Sequence, residues 1–404
     1  MKLILFHDAE ALAWAPFVET RPVGEMLFGA STLRERAERA LGTRASAYAG
    51  APHLEGFDEA GSPPHQTIAA TAEEDRVLLC VRAAIEPLAS PLPSRTATLV
   101  VDGKVVGWMI PAGTAAPSAE DLRSLGGRRG ETVPLGGELL ARPWDLMAGN
   151  ATRIAADATR ETHGAGGSTL SGVHLIGTHR VLLGEGAAIE PGVTLDLRSG
   201  PVWLAAGARV EGPARVTGPL YLGARSTILG GPVSTSSIGP ACKVRGEVAD
   251  SVILGYCNKA HDGHLGHAVL GRWVNLGAGT TNSDLKNTYS SIRVRLPTGE
   301  VDTGHIKVGC FLGDHVKTGI ATPINTGTIV GAGSNVFGGR MPPTYVPPFS
   351  WGEGSALDEY ELERFLGTAE VVMRRRDVEL TRGMRQVLTS AFESSRSERT
   401  VRKG

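Results

Sequence analysis

Three histidines, His261, His264 and His267, lie within seven positions of one another in the segment 255–287. An imidazole with an ordinary pKa of about 6.5 can accept a proton near neutral pH, so such a side chain is suited to general base catalysis. A metal site is the alternative, but carboxylate or cysteine partners at the fixed spacings of zinc sites do not accompany the three rings. His264 and His267 also fit as stacked or solvent-facing residues of a repeat.

Aliphatic residues recur every six positions on both sides of these histidines. This repeat predicts the structural elements that hold the three histidines in place. The first run is Leu204, Val210, Val216, Leu222 and Ile228, and a later run is Leu312, Thr318, Ile324, Val330 and Val336. A period of six fits neither a helix nor a simple strand. It fits a short strand and a turn, three of which make one coil of a parallel β-helix. A glycine-rich β-sandwich would instead show turns every 8 to 12 residues, roughly, with alternating polarity.

The remainder of the chain predicts an α/β domain, a linker and a helical tail. Residues 1–150 contain short apolar strands near 3–6, 78–82 and 96–101 and a capped helix over 31–42. A glycine-rich linker is expected over 151–172 and the β-helix over 173–340. Residues 341–404 are expected to form a proline-rich strap that leaves the β-helix, followed by amphipathic helices that cap or brace its open end.

Composition excludes several classes of function. The net charge of −1 provides no overall field for nucleic acid or a membrane surface, and Arg374 to Arg376 lie beside acidic residues, as on a solvated helix face. The chain lacks a long apolar run and an opening signal peptide, which favours a cytoplasmic protein. Four scattered cysteines predict buried thiols rather than disulfides or zinc ligands. The 53 glycines and 5% aromatic residues suit a narrow prism with tight corners.

The run KAHDGHLGHAVLGRWVNLGAGTT, residues 259–281, resembles the acetyltransferase signature of the GlmU-like bifunctional sugar nucleotidyltransferase/acetyltransferase family, which makes UDP-N-acetylglucosamine. The resemblance implies a left-handed parallel β-helix of hexapeptide repeats and acyl transfer from acetyl-CoA to an amino sugar phosphate. By the same register it implies that His261 is the general base, that Asn275 lines the sugar site and that the backbone of Ala278 contacts coenzyme A.

Further residues follow from the same resemblance. The segment IGPACKVRG is similar to an arginine-bearing family motif, so Lys243 and Arg245 are candidate phosphate anchors. Lys259, Asn282 and Asn287 are candidate substrate-binding residues. Lys317 and Thr318 are candidates for contacts to the cofactor, in the part of the stack that receives its pantetheine arm.

The N-terminal segment PFVETRPVGEMLFGASTLRERAERAL echoes a sugar nucleotidyltransferase pattern, in which Arg21 stands for a lysine that meets the triphosphate. The expected glycine-rich loop is replaced by HDAEALAWAP, and the strand end reads Asp102, Gly103, Lys104 instead of Asn-Gly-Asp. If the domain is active it needs Mg²⁺, for which Asp8 or Asp102 is the candidate ligand and Asn150 the second. A working nucleotidyltransferase and a degenerate nucleotide-sugar-binding or scaffolding domain both remain open.

The predicted fold is therefore an α/β nucleotidyltransferase-like N-terminal domain plus a left-handed parallel β-helix with a helical tail. The expected function is that of a sugar-phosphate acyltransferase/nucleotidyltransferase whose ligands are a sugar phosphate, a nucleoside triphosphate and acyl-CoA. Members of the family that this chain resembles assemble as trimers, so the resemblance implies that this chain forms a homotrimer. The alternative is a non-catalytic or regulatory nucleotide-sugar-binding protein that uses the β-helix as a trimerisation platform.

Overall fold

The computed structural model of the chain describes residues 1–161 and 170–400. An N-terminal α/β domain is built around a six-stranded sheet of order β4-β1-β5-β8-β7-β9, in which only β8 runs antiparallel to its neighbours. Its elements are β1 (Lys2–Phe6), β2 (Leu27–Phe28), β3 (Ser31–Thr32), α1 (Leu33–Leu41), β4 (Ala45–Ala49), β5 (Arg76–Cys80), β6 (Ala83–Ile85), β7 (Ala97–Val101), β8 (Lys104–Ile110), α2 (Ala119–Ser124), β9 (Glu131–Pro134), β10 (Gly137–Leu139), α3 (Pro143–Ala148) and α4 (Asn150–Arg160).

Local sequence explains these elements. Strand β1 places Leu3 and Leu5 in one hydrophobic core and Phe6 in a second core on the other side of the sheet, as the alternation of a strand requires. Helix α1 begins at a capping box between Thr32 and Glu35 and ends at Gly42, whose φ of 63° is left-handed. The predicted strands and helix of this domain are therefore confirmed.

The C-terminal half is a parallel β-solenoid whose strands stack into three faces, which confirms the predicted β-helix. Face 1 contains His174–Gly177, Thr194–Leu197, Ala214–Thr217, Gly231–Ser234, Val248–Ala249 and Leu265–Gly266, and further along the stack Thr281–Asn282 pairs with Pro323–Ile324. Face 2 contains Val181–Leu183, Val202–Leu204, Leu220–Leu222, Ser237–Ile238, Val252–Gly255, Val269–Arg272, Cys310–Leu312, Thr328–Val330 and Tyr345–Val346. Face 3 contains Ala188–Ile189, Arg209–Val210, Thr227–Ile228, Lys243–Val244, Asn258–Lys259, Lys317–Thr318, Asn335–Phe337 and Ser350–Glu353, with Ala356–Glu359 antiparallel at its end.

The side chains that recur every six residues fill the interior of this triangular solenoid. Leu204, Val210, Val216, Leu222 and Ile228 are all fully buried and visit faces 2, 3 and 1 in turn. All four cysteines are buried and free, and Cys242, Cys257 and Cys310 belong to the same core. Each coil therefore contributes one inward residue per face, and stability accumulates along the stack.

Two predicted boundaries differ from the structure, and one hairpin was not predicted. Helix α4 runs through residue 160, so the domain continues past the linker start predicted at residue 151; residues 162–169 of that linker lie outside the described residues. The proline-rich segment does not leave the β-helix, since Tyr345–Val346 and Ser350–Glu353 pair with the preceding coils. A hairpin of Arg293–Leu296 and Gly299–Asp302 interrupts the solenoid, and sequence reasoning missed it.

The N-terminal domain packs against face 2. The outward residues Val252, Val269, Phe311, Ile329 and Tyr345 share one hydrophobic core with this domain and with the hairpin. Because these outward positions are apolar, burying them holds the domain against the solenoid.

The tail contains α5 (Leu362–Arg374), α6 (Arg382–Ser394) and α7 (Arg396–Thr400). Helices α5 and α6 pack on the corner between faces 2 and 3 and on the N-terminal domain, in a core with Leu54, Phe57, Trp273 and Phe349. They brace the side of the solenoid. Within residues 1–161 and 170–400, no helix has the length and apolar character that crossing a membrane requires.

Candidate functional site

A ladder of polar side chains runs along the outside of face 3. Lys243, Asn258, Asn275 and Lys317 follow one another in register on adjacent coils, which places them about 4.8 Å apart. They point outward because their neighbours along the strands, such as Val244, are in the core. The Nδ2 atom of Asn258 donates to Oδ1 of Asn275 at 3.0 Å, so the two amides lie side by side.

The end of helix α5 covers this ladder and encloses a cavity between the two. Arg375 and Arg376 lie over it, and together with the ladder, Tyr256 and Trp273 they line a space of about 370 Å³, here named the basic cavity. Among the described residues that line it are four cationic side chains and no carboxylate. Such a surface attracts an anion.

Lys317 is a half-buried cation of this cavity. Its ammonium donates to the carbonyl of His315 at 3.3 Å, and burial lowers its pKa to about 8. A desolvated ammonium without a carboxylate partner is costly. A phosphate group in the cavity would remove that cost, and Arg376, which donates to the carbonyl of Ala241 at 3.1 Å, is held in place on the wall of the same cavity.

A second space adjoins the basic cavity. It measures about 420 Å³ and lies between the N-terminal domain, the corner of faces 2 and 3 and the tail helices; it is named the interdomain cavity. Tyr256, Trp273 and Arg376 line both spaces. The rings of Tyr256 and Trp273 stack with centroids 4.3 Å apart, so this pair forms a rigid wall that both spaces share.

His261 lies at the exposed corner between faces 3 and 1. Its backbone carbonyl accepts a hydrogen bond from the Lys259 ammonium at 3.1 Å, and the same ammonium donates to the carbonyl of Arg245 at 2.6 Å. Lys259 thus holds the turn that carries His261, and burial lowers its pKa to about 8. Asn258 on the cavity floor is three residues away, at most about 10 Å along the chain.

The two other histidines share a carboxylate on the outside of face 1. Nδ1 of His267 lies 2.7 Å from Oδ2 of Asp284, and Nε2 of His264 lies 3.9 Å from the same oxygen. The nearby Asp284 carboxylate raises the pKa of His264, and the two imidazoles hold the pKa of Asp284 well below its usual range. Across residues 1–161 and 170–400, no three His, Cys, Asp or Glu side chains converge as a metal site would need.

Three predicted ligand-binding residues point into the prism instead of toward a ligand. Lys259 pairs in register with the inward Val244 and is 3% exposed. Thr318 bonds Thr280 at 2.7 Å, and Asn282 bonds both the amide and the carbonyl of Gly266 at 2.9 Å. Their side chains are occupied by the coil itself, which corrects these three predictions.

The remaining predicted residues of the solenoid are spread along its surface. Arg245 is exposed beside Asp262 at 3.4 Å, and Asn287 is exposed on the loop after face 1. The carbonyl of Ala278 accepts from the amide of Ala321 at 2.7 Å, as part of the stacking. Of the predicted residues, the structure gathers Lys243, Asn275 and Lys317 in one cavity.

Arg21 is placed differently from the prediction. Its guanidinium is fully buried and binds Asp314 of the solenoid at 2.8 Å and Glu59 at 3.0 Å. These carboxylates raise its pKa beyond its already high value. The Arg21 guanidinium, which was expected to bind a triphosphate, instead forms an ion pair between the two domains.

The predicted magnesium ligands do not form a metal site. Asp8 is paired with the buried Arg82 and accepts from the amide of Ala11 at 3.0 Å. Asn150 is fully buried at the interface, where its Oδ1 accepts from the amide of Gly29 at 3.1 Å and from Ser237 at 2.8 Å. Asp102 is exposed at the tip of the β7–β8 hairpin, three strands from β1 and so about 14 Å away. The structure does not bring these groups together.

The parallel strands of the N-terminal sheet end at a cavity of about 550 Å³, which meets Phe6, His7, Ala49 and Gly50. Burial lowers the pKa of His7 to about 4, and its ring is held by the carbonyl of Ala49 at 3.0 Å. Among the described residues that line this cavity, none is Lys, Arg, Asp or Glu. The cavity therefore suits the uncharged part of a ligand better than a triphosphate.

Sequence reasoning missed Asn258, Arg375 and Arg376. A signal for Asn258 was present, because it stands next to the six-residue core positions and aligns with Lys243 in the preceding coil. The two arginines carry no such signal, since their approach to face 3 depends on how α5 packs.

Comparison with known proteins supports a composite chain. Residues 3–165 match the family model described as "Sugar nucleotidyl transferase". A curated relative from Sulfurisphaera tokodaii, named as a bifunctional sugar-1-phosphate nucleotidylyltransferase/acetyltransferase, is 33% identical over 95 residues, and this match covers 24% of each chain. The chain thus spans about a quarter of that relative's length.

A solved structure, the UDP-N-acetylglucosamine acyltransferase of Arabidopsis, matches with 14% identity and a TM-score of 0.31, covering 51% of this chain and 78% of that one. The assignment of the solenoid fold rests on the strand pairing described above. The chain joins an N-terminal domain that resembles sugar nucleotidyltransferases to a parallel β-solenoid.

Proposed function

We propose that the solenoid transfers an acyl group from acyl-CoA to the amine of an amino sugar phosphate, with His261 as the general base. The observation that carries the proposal is the basic cavity, where Lys243, Asn275 and Lys317 meet two arginines of the tail. Among the described residues that line this cavity, four are cations and none is a carboxylate, which suits a phosphorylated substrate. His261 is exposed at the corner that follows Asn258 on the same coil, where an incoming amine can reach it.

The reaction exchanges a carbon–sulfur bond for a carbon–nitrogen bond and moves one proton. The His261 imidazole accepts the proton from the attacking amine, whose nitrogen forms a bond to the thioester carbonyl carbon. The bond from that carbon to sulfur breaks, and the departing thiolate of coenzyme A takes up the proton. Lys259 acts as a positioning residue, because it holds the carbonyl of His261 and the neighbouring carbonyl of Arg245.

The test measures release of the free thiol from acetyl-CoA with a panel of amino sugar phosphates. His261→Ala should lower kcat by about 10² to 10⁴-fold, the usual contribution of a general base. The matched control is His179→Ala, an exposed histidine near the start of the solenoid, which should keep full turnover. Equal rates in the two variants would contradict the assignment of His261, and no thiol release with any acceptor would favour a non-catalytic platform.

A second proposal concerns the N-terminal domain. We propose that it does not transfer a nucleotidyl group and that its strand-end cavity holds the uncharged part of a ligand, because Asp8 and Arg21 are held in buried ion pairs and this cavity carries no charged lining among the described residues. Pyrophosphate release from nucleoside triphosphates and sugar 1-phosphates in the presence of Mg²⁺ is the measurement. Any release above the background of a heat-denatured sample would contradict this second proposal.

A further inference from the structure

The interdomain cavity is walled by all three parts of the chain. The N-terminal domain contributes Glu59 and Ala60, the solenoid contributes Arg272 and His315, and the tail contributes Met384 among others. A ligand in this space would contact all three parts simultaneously. The function proposed above does not use this cavity.

Within the described part of the chain, two buried polar atoms at this cavity have no hydrogen-bond partner. One is Nδ1 of His315, whose residue is 3% exposed, and the other is Nε of Arg272. Arg272 is otherwise well held, by an ion pair with Glu59 at 2.8 Å and by the face of the Tyr256 ring at 5.7 Å. Buried donors and acceptors are normally satisfied, so a pair of unsatisfied atoms in one cavity indicates a polar ligand or water.

The other walls of the cavity suit a flat ring. Trp273 stacks on Tyr256 and lies nearly parallel to His315, with ring centroids 6.1 Å apart and planes 15° apart. Met373, Met384 and Leu388 form an apolar wall on the tail side. Methionine and aromatic side chains adapt to planar heterocycles, while the free imidazole nitrogen can bond to a ring edge.

We propose that the interdomain cavity and the basic cavity form one site for a nucleoside polyphosphate. The heterocycle lies in the interdomain cavity and the phosphates lie in the basic cavity, beside Lys317 and Arg376. The two spaces adjoin at Tyr256, Trp273 and Arg376, which line both of them. The inference rests on the proposed function in taking the basic cavity as a phosphate site, and it adds the class of molecule that carries the phosphates.

Two kinds of ligand contain a nucleoside polyphosphate. Coenzyme A carries an adenosine polyphosphate, and a nucleotide sugar carries a nucleoside diphosphate. Calorimetric titration of the full chain with inorganic pyrophosphate, ADP, UDP and coenzyme A compares them. We expect at least one nucleotide to bind ten or more times tighter than pyrophosphate, and the tightest of them identifies the source.

Two variants locate the two halves of the ligand. Ala60→Trp places a large side chain at the exposed rim of the interdomain cavity, so it should weaken nucleotide binding about tenfold and leave pyrophosphate binding unchanged. Its control is Ala112→Trp, at an exposed alanine of the N-terminal domain. Lys317→Met removes a buried charge and should weaken nucleotides and pyrophosphate alike, by about tenfold or more. Its control is Lys104→Met on the exposed β7–β8 hairpin.

The inference is overturned if nucleotides bind no tighter than pyrophosphate, or if Ala60→Trp leaves every affinity unchanged. Both results are compatible with acyl transfer by a phosphate site alone, so thiol release is measured in the same preparations. Failure of the proposed function, seen as absence of thiol release, is therefore distinguishable from failure of the nucleotide site.

Discussion

Replacing Asp314 by Asn is expected to loosen the contact between the N-terminal domain and the solenoid. Oδ2 of Asp314 accepts from Arg21 at 2.8 Å and from Thr20 at 2.9 Å, while Oδ1 accepts from the amide of Arg272 at 2.8 Å. The two side chains of the ion pair are 1% and 3% exposed. Because the substitution leaves a buried guanidinium with Glu59 as its remaining carboxylate, the expected cost is about 3 kcal/mol, the lower end for a broken buried pair.

The assay is urea denaturation followed by tryptophan fluorescence, with each transition fitted separately because a chain of two domains need not unfold in one step. The control is Glu131→Gln, which removes an exposed ion pair with Arg95, 73% exposed, and should cost less than about 1 kcal/mol. If Asp314→Asn costs no more than this control, the buried network does not hold the domains together.

Three other outcomes are expected. Burial raises the pKa of Glu19 to about 8, so the folded state retains a proton that the unfolded chain loses near pH 4.5; stability should fall as pH rises from about 4.5 to 8, and Glu19→Gln should flatten that dependence in denaturation midpoints. The lowered pKa of Lys317, about 8, should make pyrophosphate affinity fall as pH rises through 8, with Lys317→Met removing this slope in calorimetry. Leu222→Ala, in a fully buried inward position, should destabilise the solenoid by about 2 to 5 kcal/mol in the same denaturation assay, and a smaller loss would mean that the coil collapses around the cavity.

The solenoid could be predicted from sequence because its physics is local. Each hexad must place one apolar residue inside a narrow prism, so the period appears directly in the chain, and Leu204 to Ile228 are buried as expected. The same rule could have corrected one site prediction. Thr318 stands in the six-residue series, so its side chain had to point inward.

The arrangement of the domains could not be predicted in this way. Arg21 was assigned a phosphate because its own neighbourhood resembles a nucleotidyltransferase, but its partner Asp314 lies 293 positions away. Arg376 likewise reaches the ladder of face 3 through the packing of α5. A usable signal was the contrast between the apolar outward residues of face 2, such as Val269 and Ile329, and the polar ones of face 3. That contrast between outward residues distinguishes a covered face of the prism from an open one.

Covering face 2 restricts how copies of this protein can assemble. A triangular prism offers three sides to a neighbour, and here one side is already occupied by the N-terminal domain of the same chain. Solenoids that associate side by side must then meet through faces 1 and 3, with the N-terminal domains on the perimeter of the assembly. In such an arrangement the histidine pair of face 1 would be brought toward the contact between neighbouring subunits, while the polar ladder of face 3 lies beneath Arg375 and Arg376.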